Sequence, residues 1–250
     1  ALTQADVKKF HQTSYRLDGA IITLVGAMTQ DQATALLQKH LPEWKKGPPP
    51  NVLWPEDAQP QAARITVDKK IDQANIILGH LGIARSNPDY HAIQLMNYIL
   101  GGRGTESRLM KRIREELGLV YHIGSSFYTR KDAGPFTISL QTKNASATQA
   151  IEESLQVLRQ FIEQGMTQEE LDAAKAYFIN SFPLRLVSNR DVAGLLPVLE
   201  FYDLGLDYPD RYADLVGQVN LEKIKTVAKT YLHPDQFLQV IVANLTAAGL

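Results

Sequence analysis

The sequence predicts an α+β fold, with short strands and amphipathic helices sharing a chain of 250 residues. Three observations predict it. Phe136-Thr-Ile-Ser-Leu140 alternates apolar and polar residues, the pattern of a half-buried strand. Lys131-Asp132-Ala133-Gly134, just before it, is turn chemistry and makes that strand one arm of a hairpin. Several segments of helical periodicity open on Thr or Ser with an acidic or amide residue three positions on, the capping-box pattern.

In order, Thr3 caps a helix to Tyr15, with Asp6 at its third position and Val7, Phe10 and His11 on one face. Ala20 to Gly26 (Ala-Ile-Ile-Thr-Leu-Val-Gly) reads as a buried strand. Thr29 and Gln32 open a second helix to about Leu41. Lys45-Lys46-Gly47-Pro48-Pro49-Pro50 follows, with Pro55 and Pro60 beyond; prolines deny both ladder and helix hydrogen bonds. The expected division is therefore a first segment over 1–45, a linker over 46–62 and a second segment over 63–250.

Within the second segment, Ala63–Val67 and Asn75–Leu81 read as strands. Asn87 is the expected cap of the next helix, with Pro88 at its first position and Ile93, Met96 and Leu100 on one face. Gly101, Gly102 and Gly104 then form an expected flexible turn, since glycine accepts positive φ freely. Thr105 to Glu116 reads as a helix with Leu109, Ile113 and Leu117 on one stripe; Gly118 ends it, and Leu119–Phe127 is a strand. Ala147–Gln164 carries Ile151, Leu155, Leu158 and Ile162 and stops at Gly165. Thr167 and Glu170 open a helix to about Asn180, which Pro183 interrupts. Ser188 and Asp191 start another, with a kink expected at Pro197. Tyr208-Pro209 begins a short helix, Asn220 caps the last one to Tyr231, and Phe237–Ala243 is the final strand.

The two ends of the chain echo each other. Thr3–Gly26 and Asn220–Ala243 both read as helix, turn, strand, and Val7/Ile224, Phe10/Val227 and Leu24/Ile241 match at one offset, with a one-residue slip at the tyrosine. A repeated unit points to a duplicated architecture whose first copy lacks its front part here.

Composition excludes several function classes. The chain is 44% hydrophobic and 21% charged, ordinary for a globular protein, and its net charge of -1 gives a nucleic-acid role no support. It has no cysteine, so disulfides and thiolate metal sites are excluded. No apolar run approaches the roughly 20 residues of a membrane span. The opening residues lack the basic and apolar regions of a signal peptide and read as a helix start in mid-protein.

Among the six histidines no two lie close enough to share a helical turn, and neither His-x-x-Glu-His nor His-Glu-x-x-His occurs. His80 and His122 fall on expected strands, where they read as satisfied sheet histidines, although such residues can meet in space. No Gly-x-Ser-x-Gly occurs, and Gly-Gly-Arg-Gly lacks the Gly-Lys-Ser/Thr of a phosphate loop. Glu115 and Glu116 point about 100° apart on a helix and cannot share one substrate. The chain therefore holds no self-contained catalytic constellation and no metal site. One pairing stands out: Arg114, in a last helical turn, and Tyr121, just past the terminating glycine, are brought together where helix hands over to strand. Both also suit a purely structural role, Arg114 against the helix macrodipole and Tyr121 by β-propensity.

The order of these motifs resembles the pitrilysin/insulysin family of zinc metallopeptidases, which includes the mitochondrial processing peptidase. The resemblance spans nearly the whole chain. It is carried by Leu-Thr-x-x-Asp-Val with Tyr15 and Asp18, Ile-Thr-Leu-Val-Gly, Leu-Gly-Gly…Ser-Arg-Leu…Arg-Glu-Glu-Leu-Gly-Leu-Val-Tyr, Gly-Met-Thr-Gln-Glu-Glu-Leu-Asp-Ala-Ala-Lys, Tyr202-Asp-Leu-Gly and Tyr231-Leu-His-Pro-Asp. It implies one half of a two-half clamshell, each half a mostly antiparallel sheet with helices on one face. Residues 1–45 then correspond to the end of the first, zinc-bearing half, and 63–250 to the second half without the zinc motif. It further implies that Arg114 and Tyr121, seven positions apart, bind the peptide backbone and stabilise the oxyanion. Zinc and the general base come from a homologous half, in cis or in a heterodimer, acting on an unstructured peptide. An inactive scaffold or a peptide-binding subunit without proteolysis is the alternative. Family members occur in the bacterial cytoplasm, the periplasm and mitochondria, and the lack of cysteine leans toward an exported bacterial protein.

Overall fold

The structure is a computed structural model and describes residues 2–41, 44, 46–48 and 61–250. The linker expected over 46–62 lies for the most part outside the described residues. The elements in chain order are α1 (Gln4–Ser14), α2 (Gln30–His40), β1 (Ala63–Asp68), β2 (Gln73–Leu81), α3 (Tyr90–Asn97), β3 (Val120–Phe127) and β4 (Pro135–Lys143). They continue with α4 (Ala147–Gln164), α5 (Gln168–Ser181), α6 (Asn189–Phe201), α7 (Tyr208–Gly217), α8 (Leu221–Tyr231), β5 (Leu238–Ala243) and α9 (Leu245–Ala248). The chain packs into two compact units: Ala1–Ala58 with Ser181–Pro209, and Gln59–Asn180 with Asp210–Leu250. The stretch 181–209, which the sequence reading joins to the second segment, thus clusters with the first.

The larger unit is built on a five-stranded sheet of order β1-β5-β2-β4-β3. β1 and β5 run parallel; β5–β2, β2–β4 and β4–β3 are antiparallel. Among the described residues of this unit, helices cover one face. Along β2 and β4 the alternation is strict: Ile76, Leu78, Phe136, Ile138 and Leu140 are buried, while Asn75, Ile77, Ser139 and Gln141 are exposed. The buried side meets Ile93 and Met96 of α3, Leu158 and Phe161 of α4, and Ile224 and Val227 of α8, which form one core. The sheet is mostly antiparallel and carries its helices on one side, the α+β arrangement the sequence predicts.

Cap chemistry places the helix ends. Thr3/Asp6, Thr29/Gln32 and Ser188/Asp191 form reciprocal capping boxes, Thr167 and Glu170 exchange the same two bonds, and Asn220 accepts from the Lys223 amide. Gly165, at φ 73°, ends α4.

Four expectations need correction. Ala20–Gly26 forms no strand: it has no ladder partner among the described residues, and Ile21, Ile22 and Leu24 are exposed. β-Propensity supplies an extended backbone but no neighbour. Asn87 does not cap a helix. Its side chain accepts from the Asp89 amide at 2.8 Å, an Asx turn one step ahead of α3. The helix expected over Thr105–Glu116 is instead a short 3₁₀ turn at Gly104–Glu106, followed by a π-helical stretch at Met110–Glu116. The three glycines are no common flexible turn. Only Gly104 has positive φ (65°), whereas Gly101 is buried in a π-turn over Tyr98–Gly102. A Cβ on Gly101 would lie 2.6 Å from the Ser125 amide nitrogen of β3, so close backbone approach, not flexibility, requires glycine there.

Candidate functional site

The site grows out of the handover from the π-helical stretch to β3. The Leu117 amide donates to the Arg112 carbonyl at 3.2 Å, Gly118 to Arg114 at 3.1 Å and Leu119 to Ile113 at 2.9 Å. Gly118 takes φ 62°, a conformation in which a Cβ is strained, and reverses the chain. β3 starts two residues later, and its register with β4 is broken between Val120 and His122. This bulge puts one extra residue, Tyr121, outside the ladder and re-aims it. Tyr121 is 81% exposed. The Arg114 guanidinium lies 5.3 Å from the centre of its ring, within cation–π range. The two residues that the sequence reading pairs are therefore neighbours, Tyr121 on the edge strand and Arg114 on the π-helical stretch that leads into it.

The floor of the site is fixed from beneath. The Ile123 amide donates to the Met110 sulfur at 3.4 Å, and the Thr142 hydroxyl donates to the Leu119 carbonyl at 2.6 Å, pinning both sides of the bulge. Asn97 donates to the Ser125 carbonyl at 3.1 Å and accepts from the Ser125 hydroxyl at 2.7 Å. Gly101 seats the preceding π-turn directly on that segment. π-Helical turns are rare and cluster at functional sites, and two of them flank this strand.

Neighbouring cations have carboxylate partners. Arg108 forks onto Glu170 at 3.0 and 2.6 Å, and Arg112 reaches Glu153 at 3.0 Å and Glu116 at 3.1 Å. Burial alone would raise the Glu170 carboxyl, but the Arg108 fork and the Thr167 amide outweigh it and hold its pKa below the usual range. Arg114 instead stacks on Tyr121. A cavity of about 530 Å³ is lined by the paired residues Arg108, Arg112, Glu116 and Glu170, but not by Arg114 or Tyr121. It is a solvated ion-pair cleft rather than a continuation of the site.

His80 and His122 do not converge, although the His80 and His233 rings lie 5.1 Å apart. His80 faces the buried side of β2; its ring stacks near Phe136 and Phe237, Nδ1 pairs with the Leu81 carbonyl at 2.8 Å and Nε2 accepts from the His233 amide at 3.3 Å. Desolvation pulls its pKa down to about 4, which outweighs the opposing Leu81 bond, and His233 adds to the fall. His122 lies on the exposed face, beside a shallow hollow with Asn75, Ile77, Ser139 and Gln141. His80 and His122 are thus on opposite sides of the sheet, because the Tyr121 bulge sets which β3 residues face out. Among the described residues no three His, Cys, Asp or Glu side chains are grouped to hold a metal ion. No described helix is long and apolar enough to cross a membrane.

The larger unit is thus a mostly antiparallel sheet with helices on one side and, at its edge, an exposed Tyr121 beside the half-buried Arg114. Residues 1–178 match the family described as Peptidase M16 inactive domain, and the chain belongs to that family. It is similar to a structure titled as the peptidase M16 inactive domain from Pseudomonas fluorescens, at 32% identity and TM-score 0.86, covering 97% of this chain and 58% of that one. Among curated proteins it is 27% identical over 243 residues to "Non-peptidase homolog YmxG" of Helicobacter pylori and 26% identical over 248 residues to "Zinc protease PqqE" of the same species. Each alignment covers 96% of this chain and 55% of the relative. The chain spans about half the length of these relatives.

Proposed function

We propose that this chain is the non-catalytic, substrate-binding half of a zinc metallopeptidase of this family. A peptide adds as a strand along the β3 edge, whose backbone groups give affinity with little dependence on side chains. Arg114 holds a substrate carbonyl with its fixed fork of donors. The Tyr121 hydroxyl donates to the scissile carbonyl oxygen as it becomes an oxyanion. Metal, water and base belong to a zinc-bearing homologous half. The observation that carries this reading is the stacking of Arg114 on an outward-turned, 81% exposed Tyr121. A tyrosine selected only for packing is not expelled from its strand by a bulge.

The name of the relative YmxG, a non-peptidase homolog, favours a second reading: a scaffold or peptide-binding subunit without proteolysis. One assay separates them. The chain is mixed with a zinc-bearing homologous half and an unstructured peptide, with and without chelator. The first reading expects no cleavage by the chain alone and chelator-sensitive cleavage by the mixture. It also expects Tyr121→Phe to lower kcat by roughly 10²–10³, the usual cost of one oxyanion donor. Cleavage unchanged by both Tyr121→Phe and Arg114→Ala gives the second reading.

A further inference from the structure

The outer edge of β3 is not free along its whole length. The Ile123 amide donates to the Met110 sulfur, which is not on β4, so this amide points away from the ladder. Ser125, two residues on and turned to the same side, gives its carbonyl to the Asn97 amide group. Backbone pairing by an added peptide therefore stops near the bulge. What lies beyond Tyr121 is the open face of the sheet, where a peptide is held by its side chains.

Register describes that face row by row. Asn75, Gln141 and His122 stand side by side across β2, β4 and β3, and the next row is Ile77, Ser139 and Gly124. The second row falls from a large side chain to a small one to none. A hollow of about 280 Å³ opens here, lined by Asn75, Ile77, His122, Ser139 and Gln141. Gly124 has no positive φ, so backbone conformation does not require glycine there. A Cβ at 124 would lie 3.6 Å from His122 Nε2, which places the imidazole along the gap. Gln141 donates to Asn75 Oδ1 and the two amides brace each other as one wall. Ile77 is 50% exposed although β2 is an inner strand. No carboxylate, ammonium or guanidinium lines the hollow, unlike the ion-pair cleft. Among the described residues, none bonds to the His122 ring or the Ser139 hydroxyl.

We propose that this hollow is a side-chain pocket of the peptide site, selective for a large uncharged residue, aromatic before aliphatic, close to the cleaved bond. The proposal rests on the reading of Arg114 and Tyr121 above for where the peptide lies, and adds what the peptide carries. At about 280 Å³ the hollow is smaller than the roughly 300 Å³ at which pockets for whole small molecules begin, so it suits one side chain. Tyr121 and Gly124 are about 10 Å apart at 3.3 Å per strand residue, which puts the occupant within about three positions of the scissile bond. An apolar group covers the exposed Ile77, and an aromatic ring also gains a stacked or edge contact with the His122 imidazole. A carboxylate or ammonium would lose water here with no opposite charge to meet it.

The test follows the binding of fluorescein-labelled peptides to the 250-residue chain by anisotropy. The peptides are unstructured alanine-, glycine- and serine-containing decamers that differ only in one central residue: phenylalanine, leucine, alanine, lysine or glutamate. The phenylalanine peptide is expected to bind about 10- to 100-fold tighter than the alanine peptide, with leucine between them and lysine and glutamate no tighter than alanine. Ser139→Phe fills the hollow and removes the phenylalanine advantage. Ile77→Lys removes it too and turns the preference toward glutamate. Both positions are exposed, so melting temperatures stay near that of the wild type and report that the variants fold. Equal binding of all five peptides overturns the inference. So does a phenylalanine advantage that survives Ser139→Phe, or no binding of any peptide at about 1 mM. Arg114→Ala is carried alongside. If it weakens all five peptides alike and phenylalanine has no advantage, the pocket is wrong and the proposed function stands. If the advantage is lost in Ser139→Phe but cleavage by the mixture ignores Tyr121→Phe, the proposed function is wrong and the pocket stands.

Discussion

α1 and α8 are the same helix by length and caps, yet one exposes its apolar stripe and the other buries it completely. The contrast extends to their units. α1 and α2 contain no buried residue, and Leu184, Val187 and Leu206 in the same unit are also exposed; α4, in the larger unit, buries seven. Local chemistry therefore suffices to start and stop a helix, but not to place its apolar face. Caps are satisfied within one turn. Burial, at about 1.5–3 kcal/mol per large aliphatic side chain, needs a second surface.

Substitutions can break this comparison. The largest expected effect is Ile241→Ala, which empties a fully buried place in an inner strand and costs about 3–4 kcal/mol in denaturant melts, against less than about 0.5 kcal/mol for Leu24→Ala in the isolated chain. Equal losses would mean that the first copy is already packed. Next is Gly101→Ala, whose methyl meets the Ser125 amide; a loss of about 2–3 kcal/mol is expected. The same change at Gly26, with nothing within 4 Å, moves stability by less than about 1 kcal/mol.

Acid sharpens the comparison further. His80 anchors the turn into β5 by accepting from His233, and burial holds its pKa down to about 4. The unfolded chain binds this proton near pH 6.5 while the folded chain resists it. Stability is therefore present in full above about pH 6.5 and falls as pH drops toward 4. His91, pulled down to about 4 by desolvation and by Arg85, adds to the same slope. Thermal melts from pH 7.5 to 4.5 read it, and His80→Gln is expected to flatten it. The smallest effect belongs to the exposed Arg159–Asp235 pair at 2.8 Å, where Arg159→Ala changes stability by no more than about 0.5 kcal/mol.

What was legible in the sequence follows the same division. The capping boxes at Thr3, Thr29, Thr167 and Ser188 were readable because each bond spans three residues. The approach of Arg114 and Tyr121 was readable because Gly118 lies between them. Residues 20–26 were misread because a strand is defined by neighbours, and none is among the described residues. Gly101 was misread because its constraint comes from Ser125, two dozen positions away. The opposite facing of His80 and His122 depends on a bulge that no local pattern announces. Its trace is only that Tyr121 and His122 are both exposed in succession, against the strand period of two.

The order β1-β5-β2 has a consequence for how this chain is made. β1 and β2 are neighbours in sequence but not in the sheet, since the last strand of the chain lies between them. Pairings such as Ala63↔Leu238 and Gly79↔Leu238 join residues separated by most of the chain. Contacts this distant close slowly, because a long loop must be ordered before they contribute. During synthesis the sheet stays split, with a vacant track between its first two strands, until residue 243 has left the ribosome. Completion of this sheet then waits for β5, although β2, β4 and β3 pair without it, and a chain stopped before Leu238 leaves the facing edges of β1 and β2 unpaired.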